Sequence, residues 1–156
     1  MFKAFFILLI LFMNAQAFAA NDTLVPFKTD YCTGIPEGVP NDPTAWKNCC
    51  LMHDMHFWAG GDKDDRDASD LSLKQCVEDK GYPAIAWIIY QSVRLGSYSP
   101  IKFEDKKWNY GWPERPDHQK LTSKDIDRIE KEIIFGYLYI PLHIKIAFIY
   151  ELRTRK

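Results

Sequence analysis

His53 and Asp54 are neighbours on a predicted helix, and their side chains are the best candidates for chemistry. A buried helical face that carries a histidine with an aspartate beside it requires a reason. An imidazole that a carboxylate orients can act as a general base toward water. A carboxylate beside backbone carbonyls offers hard oxygen ligands, which suit Ca²⁺. The face that carries the histidine consists of Trp46, Cys49, Cys50, His53 and Phe57.

The helix that positions these side chains is predicted over residues 43–58. Asp42 is a good N-cap, and Pro43 fits the first helical position. Gly60 and Gly61 follow as a stop signal. The chain before this helix, residues 31–42, is rich in glycine and proline and is predicted to be a loop.

Two adjacent cysteines, Cys49 and Cys50, lie on this helix, and their side chains point about 100° apart. They are therefore poorly placed to bond to each other and well placed to tether the helix to two different segments. The chain has four cysteines, the other two being Cys32 and Cys76. An even count indicates two disulfides in an exported chain.

Export is predicted from residues 1–20, which have the parts of a secretory signal peptide. Lys3 supplies the positive start, residues 5–13 are an unbroken apolar run, and small-x-small cleavage sites follow. The alternative is an uncleaved anchor, but the run is short for the ~20 residues of a membrane span. We therefore expect a secreted or periplasmic protein with a single domain over residues 21–156.

The charge balance argues against a nucleic-acid partner. The chain has 20 basic and 21 acidic residues. Without Lys3 of the leader, 19 basic residues face 21 acidic ones, a net charge of −2. Recognition of nucleic acid would require a basic stripe.

A second helix is predicted over residues 66–80, ending at Gly81. Its inward face carries Asp70, Leu73 and Val77 at helical spacing. A buried carboxylate at Asp70 would need a partner. The charged connector before this helix, residues 61–67, is predicted to be a solvated turn, with a second metal site as the alternative.

The remaining chain is also predicted to be helical, because it shows no convincing period-2 strand pattern. A third helix covers residues 83–94, and residues 97–119 are irregular and rich in aromatic side chains. Thr122 or Ser123 caps a last helix, which Pro141 should kink or restart. The fold class is therefore mainly α.

One pairing of the cysteines would bring His53 and Asp70 together where the first two helices cross. If Cys49 pairs with Cys76 and the helices run antiparallel, His53 lies about 6 Å from the clamp along one helix. Asp70 lies about 9 Å from the clamp in the same direction. The histidine and the aspartate would then face each other at similar height.

The other two cysteines, Cys32 and Cys50, would then tie the loop 31–42 onto the same helix, so that loop carbonyls come near Asp54. A dication held there would polarise an ester carbonyl and stabilise the oxyanion. The inferred reaction is ester hydrolysis by a water that His53 activates, with no covalent intermediate.

The same residues resemble the secreted phospholipase A2 superfamily, in particular its microbial members. The motifs are CC-x-x-HD at residues 49–54, a cysteine-containing glycine loop before it, and D-x5-C at residues 70–76. They cover about residues 30–80. The resemblance implies that His53 is the general base, Asp70 its orienting partner and Asp54 a calcium ligand.

The resemblance also implies an antiparallel helix pair clamped by the disulfides Cys32–Cys50 and Cys49–Cys76, followed by additional C-terminal helices. Phe57 stands where the family often has a tyrosine whose hydroxyl helps to hold the aspartate. Oxygens near Asp30, Tyr31 and Thr33 would complete the Ca²⁺ site, and Gly34 would bring a backbone N–H near the oxyanion.

The implied activity is calcium-dependent hydrolysis of the sn-2 ester of phospholipids at a membrane surface. One alternative is a phospholipase-like protein that binds lipid or protein with weak or no chemistry. Another is a membrane-associated structural protein that uses the aromatic loop 108–112 and the C-terminus.

Three groups of side chains have more than one interpretation. Cys49, Cys50, His53 and His56 could hold zinc on residue type alone, although His56 is predicted to lie at the surface or the rim of the site. The aromatic loop 108–112 is predicted to anchor the fold, with a lipid-contacting rim as the alternative. Residues 133–150 are predicted to form a core helix, with interfacial docking second.

Overall fold

The computed structural model describes residues 22–96 and 107–155, so the predicted signal peptide lies outside the described residues. The prediction of a mainly helical chain is confirmed. In the described ranges the regular structure is helical, apart from one isolated β-bridge between Val39 and Asp42. The helices are α1 (Lys47–Ala59), α2 (Lys63–Asp79), α3 (Pro83–Gly96), α4 (Ser123–Gly136) and α5 (Leu142–Thr154).

Helix α1 begins four residues later than predicted. Asp42 does not cap it, because its backbone N–H and C=O both pair with Val39, at 2.9 Å each. The backbone N–H of Trp46 bonds to the carbonyl of Glu37 at 3.0 Å, which holds the chain in turns up to the helix start. The predicted end is confirmed: Gly60 adopts a positive φ of 76° that favours glycine.

Helix α2 begins three residues earlier than predicted, because Asp62 and Asp65 form a capping box. The side chain of Asp62 accepts the backbone N–H of Asp65 at 3.0 Å, and Asp65 bonds back at 2.9 Å. The interpretation of residues 61–67 as a solvated turn is therefore wrong, because residues 63–67 are helical and Gly61 is buried. The predicted inward face of Asp70, Leu73 and Val77 is confirmed, since all three side chains are buried.

Two apolar clusters meet at α1. One side of α1, including Leu51, Met55 and Trp58, packs against α4, α5 and the N-terminal segment. The other side, which carries Cys49 and Cys50, packs together with the preceding Trp46 against α2 and α3. His53 is buried on the same side of α1 as Cys49 and Cys50.

The aromatic loop, residues 108–112, closes the C-terminal end of α1. The indole N–H of Trp108 donates to the carbonyl of Gly61, and that of Trp112 donates to the carbonyl of Ala59, both at 2.9 Å. The backbone N–H of Asn109 donates to the carbonyl of Phe57 at 2.8 Å. The bonds to Phe57 and Ala59 satisfy carbonyls that the end of α1 leaves unpaired. Because both tryptophans are buried, the anchoring interpretation is confirmed and the lipid-rim alternative is wrong.

The two C-terminal helices form a hairpin. Thr122 caps α4 in a capping box with Asp125, and Pro141 ends the turn before α5 as predicted. Helix α5 buries Phe148, Ile149 and Leu152 on one face. Within residues 22–96 and 107–155, no helix is both long and apolar enough to cross a membrane.

Candidate functional site

Both predicted disulfides are confirmed, and they anchor α1 at the centre of the site. Cys49 is bonded to Cys76 with the Cα atoms 5.7 Å apart, which clamps α1 to α2. Cys32 is bonded to Cys50 with the Cα atoms 5.2 Å apart, which ties the preceding loop to α1. The zinc alternative is wrong, because all four thiols are consumed by the disulfides.

The clamp brings His53 and Asp70 together as predicted. His53 Nε2 lies 2.9 Å from Asp70 Oδ1, and both side chains are buried, the histidine at 9% exposure and the aspartate at 0%. An imidazole nitrogen that faces a carboxylate carries the proton. This assigns the proton to Nε2 and the lone pair to Nδ1, the atom available to accept a proton from water.

Arg94 of α3 binds the second oxygen of Asp70, a contact that the sequence analysis missed. Its Nη1 lies 3.2 Å from Asp70 Oδ2, and the same nitrogen also pairs with Asp67. The hydrogen bonds to Asp67 and Asp70 raise the pKa of Arg94, against the opposing effect of burial. Lys63 and Arg94 lower the pKa of Asp67 to about 2.

A signal for Arg94 exists in the sequence. Asp67 and Asp70 are three residues apart, so the two carboxylates share one face of α2. The following helix carries a single arginine near its end. Two acids on one helix and a cation on the next are compatible with a bridge, but only the packing of the two helices decides that it forms.

Phe57 forms an apolar wall against the imidazole. Its ring centroid lies 4.5 Å from that of His53, with a tilted geometry. Phe57 in turn packs edge-on against Trp108 at 5.1 Å, and Arg66 lies over its ring at 5.7 Å. The side chain therefore limits the movement of the His53 ring by packing.

Asp54 is connected to the preceding loop through Thr29, which the sequence analysis also missed. The hydroxyl of Thr29 donates to Asp54 Oδ2 at 2.6 Å. The backbone N–H of Tyr31 donates to the same hydroxyl oxygen at 2.9 Å. These two bonds hold the start of the loop beside the Asp54 carboxylate.

The other predicted ligand residues lie on the same turn. Tyr31 has a positive φ of 60° and Gly34 one of 74°, so the backbone reverses sharply between them. The hydroxyl of Thr33 donates to Asp30 Oδ1 at 2.8 Å at the protein surface. Gly34, the predicted oxyanion donor, is also exposed.

The donor chemistry of this turn fits calcium. In residues 22–96 and 107–155, no group of three histidine, cysteine, aspartate or glutamate side chains could hold a metal ion. The ligands that the resemblance implies are instead oxygens: the Asp54 carboxylate and oxygens of the loop near Asp30, Tyr31 and Thr33. Such all-oxygen sets suit Ca²⁺ rather than a transition metal.

His56 is buried, so its predicted position at the surface or rim is wrong. Its Nε2 lies 2.8 Å from Glu151 Oε2 on α5, and Arg155 contacts its Nδ1. Burial lowers the pKa of His56 to about 4, although Glu151 opposes the shift. The residue links α1 to α5, behind the site, and the sequence offers no local signal for this because its partners are about 100 residues away.

An exposed apolar surface lies on the C-terminal hairpin. Leu138 at its tip is 95% exposed. Tyr139 packs edge-on against Tyr137 at 5.9 Å, and Tyr137 packs against the same apolar cluster as Tyr31 of the loop. We call this exposed surface the hairpin surface; its members are Phe135, Leu138, Tyr139, Leu142, Ile146 and Tyr150.

Comparison of the chain with models of protein families, with curated proteins and with solved structures gave no match. The resemblance of residues 30–80 to secreted phospholipases A2 therefore stays a prediction. The helical fold, the two disulfides and the contacts described above are independent of it.

Proposed function

We propose that this chain is a calcium-dependent phospholipid hydrolase of the phospholipase A2 type, which cleaves the sn-2 ester. The observation that carries the proposal is the 2.9 Å contact between His53 Nε2 and Asp70 Oδ1. A buried carboxylate that fixes an imidazole, with the second ring nitrogen available, has the form of a general base. The adjacent residue, Asp54, supplies the only further carboxylate that the proposal needs.

The proposed reaction consumes one water molecule and leaves His53 in its starting protonation state. His53 Nδ1 accepts a proton from water as the water oxygen attacks the ester carbonyl carbon. The imidazolium is stabilised by Asp70 during this step. His53 then gives the proton to the leaving sn-2 oxygen as the ester C–O bond breaks, and the products are a fatty acid and a lysophospholipid.

Asp54 and oxygens of the loop at Asp30, Tyr31 and Thr33 would hold Ca²⁺ beside this base. When bound, the ion would polarise the ester carbonyl and stabilise its developing charge. Gly34 would contribute a backbone N–H to the same oxyanion. Thr29 would orient Asp54 and the loop backbone, through the hydrogen bonds of 2.6 Å and 2.9 Å.

A phospholipid membrane surface is the proposed partner. The hairpin surface supports this, because its apolar side chains are exposed and its Tyr139 contacts Tyr137, which packs against the same cluster as Tyr31. Large exposed apolar patches mark interaction sites. The two disulfides support an oxidising compartment, as export would provide.

The test is fatty-acid release from mixed phospholipid vesicles, first with Ca²⁺ and then with a chelator. We expect release that the chelator stops. His53→Asn should abolish release because the base is lost, and Asp54→Asn should abolish its dependence on calcium along with most of the rate. His118→Asn is the matched control, since His118 is an exposed histidine, and it should retain the wild-type rate.

Two outcomes would overturn the proposal. Full release by His53→Asn would exclude this residue as the base. Vesicle binding without fatty-acid release from any phospholipid would favour a lipid-binding protein without chemistry.

A further inference from the structure

We propose that Arg94 is a positioning residue of the site, which acts by holding the second oxygen of Asp70. This inference rests on the proposed function. The contact is direct: Arg94 Nη1 lies 3.2 Å from Asp70 Oδ2, while Asp70 Oδ1 faces His53 at 2.9 Å. Each oxygen of the carboxylate therefore has its own partner, from α3 and from α1 respectively.

The burial of Asp70 makes this second partner necessary. The side chain has 0% exposure, and an ionised carboxylate in such a place is strongly disfavoured without compensation. A neutral imidazole donates one hydrogen bond but brings no positive charge. Arg94 supplies a positive charge 3.2 Å from this buried carboxylate, on the side opposite the imidazole.

Arg94 also fixes the orientation of the carboxylate. With only the His53 contact, the Asp70 carboxyl group could rotate about its last bond. A hydrogen bond to Oδ2 removes that freedom and keeps Oδ1 directed at Nε2. Orientation of this kind is how outer partners hold a reactive imidazole in place.

Asp67 completes the arrangement by anchoring the guanidinium. It pairs with Arg94 at the surface edge of the contact, one turn before Asp70 on α2. Without Arg94, the two carboxylates of one helix face would repel each other. Loss of Arg94 would therefore remove the cation beside Asp70 and leave Lys63 as the cation paired with Asp67.

The kinetic test compares Arg94→Ala with Arg153→Ala. Arg153 is the matched control, because it also bridges two acids, Asp127 and Glu130, but on exposed surfaces. For Arg94→Ala we expect kcat to fall by about 10-fold to 100-fold. We expect KM for phospholipid and the calcium dependence to stay unchanged. Arg153→Ala should retain wild-type values.

Two forms of rescue separate positioning from loss of structure. Arg94→Lys keeps a cation and should recover part of kcat. Guanidinium added to Arg94→Ala at concentrations below those that denature should raise kcat, because it can occupy the vacated place beside Asp70. A destabilised protein would not gain activity from guanidinium. An Arg94→Ala variant with wild-type kcat, or a loss that neither rescue relieves, would overturn the proposal.

A second readout does not require turnover. The ring N–H of His53 that bonds to Asp70 should give a protected, downfield proton resonance in the wild-type protein. Arg94→Lys should retain this resonance, and Arg94→Ala should lose it or broaden it. If the wild-type protein hydrolyses no phospholipid, the proposed function fails, while this resonance still decides whether Arg94 positions the pair. An unchanged resonance in Arg94→Ala would refute the positioning role of Arg94 and would leave the proposed function unaffected.

Discussion

Removing each disulfide in turn should cost similar stability and impair different functions. The Cys49–Cys76 bond closes a separation of 27 residues and the Cys32–Cys50 bond one of 18. The chain-entropy relation gives roughly 3.5 kcal/mol for the longer loop and roughly 3.2 kcal/mol for the shorter one. The two double alanine variants should therefore lose nearly the same free energy of unfolding.

The functional losses should differ because the bonds hold different parts of the site. Cys49 lies one helical turn before His53, and its bond sets the register of α1 against α2. Cys49→Ala with Cys76→Ala should therefore lower kcat at saturating calcium. Cys32→Ala with Cys50→Ala should release the loop, so more calcium should be needed for half-maximal rate.

The assays are urea unfolding followed by tryptophan fluorescence, and fatty-acid release across a calcium titration. Both variants are measured in conditions where circular dichroism shows a helical fold. If the folded variant without Cys49–Cys76 kept full kcat, the bond would not be what aligns His53 with Asp70. If the two variants differed by several kcal/mol in stability, loop closure would not be the main contribution of these bonds.

Three further predictions concern the surroundings of the site. Burial lowers the pKa of His56 from 6.5 to about 4, so the unfolded chain binds this proton first as the pH falls. The unfolding free energy should therefore drop by about 2 kcal/mol between pH 7 and pH 5, and His56→Gln should flatten this part of the urea-unfolding profile. Thr29→Val removes the hydroxyl that bonds to Asp54 and should weaken calcium binding about 10-fold by calorimetry. Unchanged binding would show that Thr29 does not orient Asp54 for calcium. Leu138→Ser should weaken vesicle binding about 10-fold without changing hydrolysis of a monomeric short-chain substrate, and equal binding would exclude the tip from the membrane contact.

The His53–Asp70 contact could be predicted because it depends on few quantities. The helical rise is nearly constant, and a disulfide fixes one point on each helix. Once Cys49 is paired with Cys76, the positions of His53 and Asp70 follow from counting residues. Strong local signals also allowed correct predictions: Gly60 ends α1, and Thr122 caps α4.

Helix starts were predicted less well, because local signals compete with bonds to distant backbone. Asp42 and Pro43 have the types that begin a helix. The β-bridge to Val39 uses the backbone of Asp42, so the helix starts only at Lys47. Helix α2 instead begins earlier than predicted. Its run of acidic residues suggested a solvated turn, but Asp62 and Asp65 form a capping box that starts the helix.

The sequence by itself determined the helical class, the disulfide count and the two residues of the proposed base, because these follow from local spacing and from a covalent bond. Only the tertiary structure decided the partners that complete the site. Arg94 is 24 residues from Asp70, and Thr29 is 25 residues from Asp54. Glu151 meets His56 across 95 residues. Such contacts depend on how whole helices pack, and no local pattern of residue types specifies that packing.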